Sequence, residues 1–223
     1  MFDIFYEFTT IDDGNLAYHV NDKKDKVDTN REKLAKKYNF DIKKLFYMNQ
    51  THGNNIEIIT EQSENLIDDC DAIITNQKGF TLMVMVADCI PILMYDKTKG
   101  VVAAVHAGRN STFLKITPLT IEKMIKEFNC EAKDIEVVLG PSIQKCCYEV
   151  SQELVDIVIK NFGLEFVEKR YIDLQGINKK LLTQKGVKKT TISDICTKCS
   201  GEQYYSYRED KSCGRFAGII KVM

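Results

Sequence analysis

The sequence predicts an α+β fold: mixed β-sheets flanked by helices, in a single layered α/β domain over residues 1–223. Three observations carry that expectation. Short apolar runs at residues 82–86 and 101–105 are bounded by turn residues and read as neighbouring buried strands. Apolar residues three and four apart, such as Ile121, Met124, Ile125 and Phe128, read as the buried stripe of a helix. Strands and helices mix without strict βαβ alternation, and no Pro/Gly/Ser-rich linker, repeat or low-complexity tract divides the chain.

At the start, Phe2, Ile4, Tyr6 and Phe8 alternate with Asp3, Phe5 and Glu7, the pattern of a strand with one buried face. Asp13-Gly14 offers a hairpin turn, after which residues 16–20 are expected to return as a strand that carries His19. Residues 29–38 read as a helix capped by Thr29 or Asn30, with Leu34, Ala35 and Tyr38 on one face. That start puts Arg31 in the first turn, where a cation opposes the helix dipole and a bound anion would offset the cost. Leu45–Met48 and residues 56–60 are expected strands. Asp68-Asp69-Cys70-Asp71 is an acidic cluster, either a hard-cation site or a solvated loop, ahead of a strand at Ala72–Thr75. Thr117-Pro118 starts a helix with proline near its first position. Residues 135–139 form a strand ending in Gly140-Pro141; Ser151 caps a helix that points Leu154, Ile157 and Val158 inward; another helix surrounds residues 178–185. Residues 219–222 supply a closing strand.

Composition narrows the function. Lys+Arg 31 against Asp+Glu 32 gives a net charge of −1, without the basic face of a general nucleic-acid or anionic-membrane binder. No apolar stretch approaches the roughly 18 residues that span a bilayer. Met1-Phe2-Asp3-Ile4-Phe5 lacks the pattern of a signal peptide. The expectation is a cytoplasmic protein whose eight cysteines are mostly reduced thiols.

The candidate chemistry lies at the ends of apolar runs. The first run closes in Ala87-Asp88-Cys89 and the second in His106-Ala107-Gly108; a further histidine stands in Asn49-Gln50-Thr51-His52-Gly53. Zinc takes nitrogen from histidine and sulfur from cysteine; a structural site is closed by four protein ligands, whereas a catalytic site keeps three and leaves one position open. His52, Cys89 and His106 are single residues far apart in sequence, which suits a three-ligand catalytic site. The alternatives are buried, hydrogen-bonded histidines, or Cys89 as a thiolate nucleophile with His106 or His52 as its base. Cys196-Thr197-Lys198-Cys199 has neither a second CxxC nor a following histidine, and reads as ordinary thiols.

These motifs resemble the YfiH family, also called the laccase-like polyphenol oxidoreductase or purine nucleoside phosphorylase family. The resemblance begins with Asn15-Leu16 and Asn30-Arg31. It runs through Asn49-Gln50-Thr51-His52-Gly53, Asp71-Ala72, residues 87–93 and residues 102–108. It continues in Gly140-Pro141-Ser142-Ile143, Tyr148-Glu149-Val150, Asp173-Leu174, Cys196-Thr197, Ser206-Tyr207-Arg208 and Gly214-Arg215. It implies a zinc on His52, Cys89 and His106, which would then be the catalytic centre. It also implies phosphorolysis of purine nucleosides such as adenosine, inosine and methylthioadenosine, with deamination of adenosine. The expected partners are a small nucleoside and phosphate. Arg31, Arg109 and Arg208 are the candidates for holding phosphate, because a guanidinium matches it with a fork of donors. Asp88 and Tyr148 are candidates for orienting ligands or substrate. The family pattern His-Ala-Gly-Trp-Arg-Gly reads His106-Ala107-Gly108-Arg109-Asn110-Ser111 here, so the tryptophan is missing and the arginine falls one place early. Copper competes for a His₂Cys site, but three histidines in the whole chain are too few for a multicopper cluster. The other enzymatic readings are an amidase or cysteine-type hydrolase acting on a cell-wall precursor, and a copper-dependent polyphenol oxidoreductase. The non-enzymatic reading is a zinc-stabilised interaction protein.

Overall fold

The central strands are apolar on both faces, and such strands are stable only where both faces are covered. The computed structural model, which describes residues 1–201 and 203–223, covers them with four layers. In chain order the elements are β1 (Ile4–Phe8), α1 (Lys24–Lys37), β2 (Leu45–Met48), β3 (Ile56–Ile58), β4 (Leu66–Ile67), β5 (Ala72–Thr75) and β6 (Thr81–Val86). Then follow β7 (Ile90–Asp96), β8 (Val101–Ala107), α2 (Arg109–Phe113), α3 (Ile116–Phe128), β9 (Glu136–Leu139) and α4 (Gln152–Asn161). The last are β10 (Val167–Glu168), β11 (Tyr171–Ile172), α5 (Leu174–Gln184), β12 (Lys189–Ile192) and β13 (Phe216–Val222).

One sheet has the order β1-β13-β6-β2-β4 and the other β12-β9-β7-β8-β5-β3, with a small β10-β11 ribbon beside them. Both large sheets are mixed: β6 pairs antiparallel with β13 and parallel with β2, while β9 pairs parallel with β12 and antiparallel with β7. The period of two divides each strand between layers. In β8, Val101, Ala103, Val105 and Ala107 join the core built with α3, α4 and α5, whereas Val102 and Ala104 join the core between the sheets. The outer face of the five-stranded sheet, Met83, Met85, Ala217 and Ile219, packs under α1 through Leu34, together with Leu16 and Ala17.

Several elements differ from the sequence expectation. The runs at residues 82–86 and 101–105 belong to different sheets, because β7, with Pro91 inside it, intervenes and pairs with β8. Residues 16–20 form no strand. Asn15 Oδ1 accepts the Ala17 N–H at 3.1 Å, and Leu16 donates its own N–H to Arg215 O at 3.1 Å, so local and distant partners take the groups a hairpin would use. Helix α1 starts at Lys24, with Thr29 and Asn30 inside it: Thr29 Oγ1 donates to Asp25 O, and Asn30 Nδ2 reaches Asn15 O. Arg31 is therefore in mid-helix, and the dipole argument for an anion beside it falls. Helix α5 begins earlier than expected because the Asp173 carboxylate caps it, accepting from Gly176 N at 2.7 Å. Among the described residues, no helix is long and apolar enough to cross a membrane.

Candidate metal centre

His106 ends β8 and His52 follows β2, so each sheet supplies one histidine; Cys89 lies on the crossover from β6 to β7 that joins the two sheets. Donor atoms of the three lie within 4.8 Å of one another. Cys89 Sγ is 3.8 Å from His52 Nε2, and the two imidazole rings meet edge-on with centroids 4.7 Å apart. His106 is buried, Cys89 half-buried and His52 exposed, so the group opens to solvent on the His52 side.

Two left-handed residues shape the backbone around the group: His52 at φ 60° and Asp88 at φ 83°. That conformation is costly for most side chains, and the surrounding bonds hold it. Asp71, buried at the start of β5, is the main anchor. Its carboxylate accepts the backbone N–H groups of Thr51 at 3.2 Å, His52 at 3.0 Å and Gly53 at 2.8 Å. The same carboxylate lies 2.7 Å from His106 Nδ1, which leaves Nε2 as that ring's free donor atom. Asp88 ties down the other flank: Oδ1 accepts from Thr197 Oγ1 at 2.7 Å, Oδ2 from Arg208 N at 2.6 Å, and its carbonyl from Ile143 N at 2.9 Å. Gly108 is required by space, since a Cβ there would stand 2.9 Å from His52 Cδ2 and 3.0 Å from Cys89 Sγ.

The electrostatics are those of a thiolate–imidazolium pair. Burial alone would raise the Cys89 thiol; the charge of His106, with hydrogen bonds to both histidines, outweighs it and brings the group down to about 6. Burial alone would lower His106; the Cys89 charge and the Asp71 carboxylate outweigh it and bring the ring up to about 9. Burial also works against the Asp71 carboxylate, yet His106 and the surrounding N–H groups hold it below the usual carboxylate range.

The donor set fits a metal of borderline softness. It offers two imidazoles and a thiolate, one histidine is already fixed in its tautomer by a carboxylate behind it, and a glycine leaves the space where the donors converge. Arg109 follows Gly108, and Arg208 N bonds Asp88 next to Cys89; these two arginines, with Tyr148, Glu149 and Arg170, line in part an open cavity of about 390 Å³. The Arg208 guanidinium sits over the Tyr148 ring at 5.4 Å and donates to Glu149 O at 2.8 Å; Arg170 pairs with the Glu149 carboxylate. Among the described residues, the Arg109 side chain bonds to its neighbour Asn110 alone, at 3.2 Å.

Of the residues singled out from sequence, His52, Cys89 and His106 come together, and Arg109, Arg208 and Tyr148 share the cavity. Asp88 acts on loops rather than facing that cavity. Arg31 lines neither: it is buried, donates twice to Leu16 O at 2.9 and 2.7 Å, and stacks between Tyr18 and Tyr47. Asp71 was within reach of sequence reasoning through its place in the acidic cluster, but a solvated loop was the simpler expectation there.

Comparison with known proteins agrees with this architecture. Residues 7–223 match the family model described as multi-copper polyphenol oxidoreductase laccase. A purine nucleoside phosphorylase of Clostridium acetobutylicum is 38% identical over 189 residues, 82% of this chain and 79% of that protein. A purine nucleoside phosphorylase of Streptomyces coelicolor is 31% identical over 211 residues, 92% of this chain and 86% of that protein. The crystal structure of the hypothetical protein YfiH of Bacillus licheniformis superposes with a TM-score of 0.92 at 26% identity, covering 99% of this chain and 93% of the other.

Proposed function

The chain belongs to the laccase-like polyphenol oxidoreductase (YfiH) family, and from that membership we propose that it is a zinc-dependent purine nucleoside phosphorylase that also deaminates adenosine. The observation that carries this reading is the juxtaposition of an open-sided His52–Cys89–His106 donor set with an arginine-lined cavity. His52, Cys89 and His106 would hold the ion, which would supply Lewis-acid polarisation of an oxygen or a ring nitrogen.

The protein's own groups account for the rest. In phosphorolysis a phosphate oxygen bonds to the ribose carbon as the carbon–nitrogen bond to the base breaks, so the site has to hold an anion against that carbon. Arg109 is suited to this because its guanidinium bonds the neutral Asn110 and, among the described residues, pairs with no carboxylate. Arg208, stacked on Tyr148 and bonded to Glu149 O, supplies a second positive group with a fixed direction. Tyr148 keeps its proton at neutral pH, since burial pushes its hydroxyl up to about 12, so it can donate a hydrogen bond to substrate. Asp71 keeps the Nδ1 proton of His106 in place and so fixes which nitrogen faces Cys89. Deamination needs the same pocket without phosphate: water adds at the purine carbon that carries the amino group, and ammonia leaves.

The family description names several coppers, yet a chain with three histidines cannot furnish the ligands of such a cluster, which favours a single ion. The low thiol of Cys89, 3.8 Å from His52, favours one rival, a cysteine hydrolase of an amide substrate. The decisive experiment is product analysis of adenosine with zinc-loaded protein, with and without phosphate, using His106→Ala as control. Adenine that requires phosphate and is lost in the variant supports the phosphorylase, and inosine formed without phosphate supports the deaminase. No turnover in either tube, with cleavage of a muropeptide-type amide, replaces both with the hydrolase.

A further inference from the structure

A second group of thiols lies away from the three-ligand site. Cys146 and Cys147 follow β9 in the loop of residues 140–150, and Cys196 and Cys199 lie in the segment between β12 and β13. The sequence separates the pairs by about fifty residues and gives only one of them CxxC spacing. The fold nevertheless brings all four sulfurs within 4.8 Å of one another.

The approach is built by backbone rather than by the sulfurs. Ser142 and Cys196 form a parallel bridge, with Thr197 N donating to Ser142 O at 3.1 Å. Gln144 Nε2 ties across to Ser193 O at 3.0 Å and Ile195 O at 3.3 Å. Gln144 N then points at Cys196 Sγ at 3.5 Å, the N–H···S contact that stabilises a thiolate.

The spacing fits a single tetrahedral thiophilic ion, and zinc is the simplest occupant. Zinc–thiolate bonds of about 2.3 Å set the edge of a sulfur tetrahedron at about 3.8 Å. Cys146 Sγ stands 3.8 Å from Cys147 Sγ and 3.8 Å from Cys199 Sγ. A disulfide would need about 2.05 Å, and all four cysteines are free. Among the described residues the clustered donors are four sulfurs, which suit a thiophilic ion, and sulfurs this close enclose one ion rather than a multi-iron cluster. We infer that Cys146, Cys147, Cys196 and Cys199 form a closed tetrathiolate site for one structural Zn²⁺, separate from the His52–Cys89–His106 centre. Its role follows from what the two segments hold. Ile143 and Thr197 both bond to Asp88, the neighbour of Cys89, and Tyr148 follows directly after Cys147. The ion clamps together the two loops that support the reactive centre.

The test separates this site from the catalytic reading. Full-length His52→Ala/His106→Ala protein, produced with zinc and desalted, is expected to retain one zinc per chain by elemental mass spectrometry. Adding Cys196→Ser and Cys199→Ser is expected to reduce that to none. Wild-type protein gives a measurement that does not depend on variants folding: the exposed Cys146 and Cys199 should resist iodoacetamide until a chelator removes zinc, as read by peptide mass. A zinc-free His52→Ala/His106→Ala protein that is folded overturns the inference. Rapid alkylation of Cys146 and Cys199 with zinc still bound does so too, as does a disulfide among the four or iron in place of zinc.

Discussion

Asp71 and His106 share a 2.7 Å contact between carboxylate Oδ1 and ring Nδ1, with both side chains shielded from solvent at 0% and 3% exposure. The same carboxylate takes the N–H groups of Thr51, His52 and Gly53. One buried acid therefore positions both histidines, although they come from different sheets. Asp71→Asn is expected to lower zinc affinity at the triad by about 10–100-fold, the usual cost of losing a carboxylate behind a ligating histidine. Competition with a chromophoric chelator measures it, and unchanged affinity would remove Asp71 from the positioning role.

Gly108 is the second control point. Its missing Cβ leaves the space that His52 and Cys89 occupy, so Gly108→Ala should displace one of them and strip the triad of metal. Circular dichroism should stay near wild type, because the clash lies at the site rather than in a sheet. Full metal content in this variant would contradict the close approach.

Zinc uptake should release protons in a defined way. In the metal-free protein Cys89 titrates near about 6 and is already a thiolate at pH 7.5, while His106 titrates near about 9 and is still protonated. Binding at the triad at that pH is expected to displace one proton, from His106. Below pH 6 Cys89 must also lose a proton, so affinity falls as the solution is acidified. Calorimetry in buffers of different ionisation enthalpy gives the count, taken as the difference between wild type and His52→Ala/His106→Ala.

Arg109→Ala separates anion binding from folding, because among the described residues that guanidinium holds its neighbour Asn110 alone. Loss of a charge-assisted bond worth about 1.5–3 kcal/mol should raise the KM for phosphate by about ten- to a hundredfold. Nucleoside affinity and the melting temperature should move little. An unaltered KM would transfer the anion role to Arg208 or Arg170.

Arg31 provides the contrasting case. Removing it leaves the buried Leu16 carbonyl without a donor, so Arg31→Ala should destabilise the fold by about 1–3 kcal/mol in denaturant titration. The KM for phosphate should not change. A selective rise in that KM with stability intact would return Arg31 to the substrate site.

Much of this architecture is readable before the coordinates, for identifiable reasons. Buried strands announce themselves by long apolar runs, as at β6 and β8, and Ser151 marks the start of α4 because its hydroxyl accepts from Leu154 N at 3.4 Å. Pro91 conceals β7, since proline argues against an interior strand. Thr29 and Asn30 look like caps yet spend their side chains inside α1 and on Asn15. The histidines and Cys89 stand out because each is isolated at the end of an apolar run. Asp71 does not, since its acidic neighbours Asp68 and Asp69 disguise a buried carboxylate as part of a solvated loop. The thiols at Cys146 and Cys147 lack ligand spacing altogether, and the bridge between Ser142 and Cys196, with the Gln144 bonds to Ser193 and Ile195, brings them to Cys196 and Cys199.

The division of the triad between sheets has a thermodynamic consequence. An ion bridging His52 and His106, if bound as proposed, would engage the native chain far better than the unfolded one, in which the three donors lie far apart. Each thousandfold excess of free ion over its dissociation constant then adds about 4 kcal/mol to the stability of the native state by mass action. On the proposed reading, the docking of one sheet on the other would become a titratable quantity, set by the supply of metal as well as by the apolar core between them.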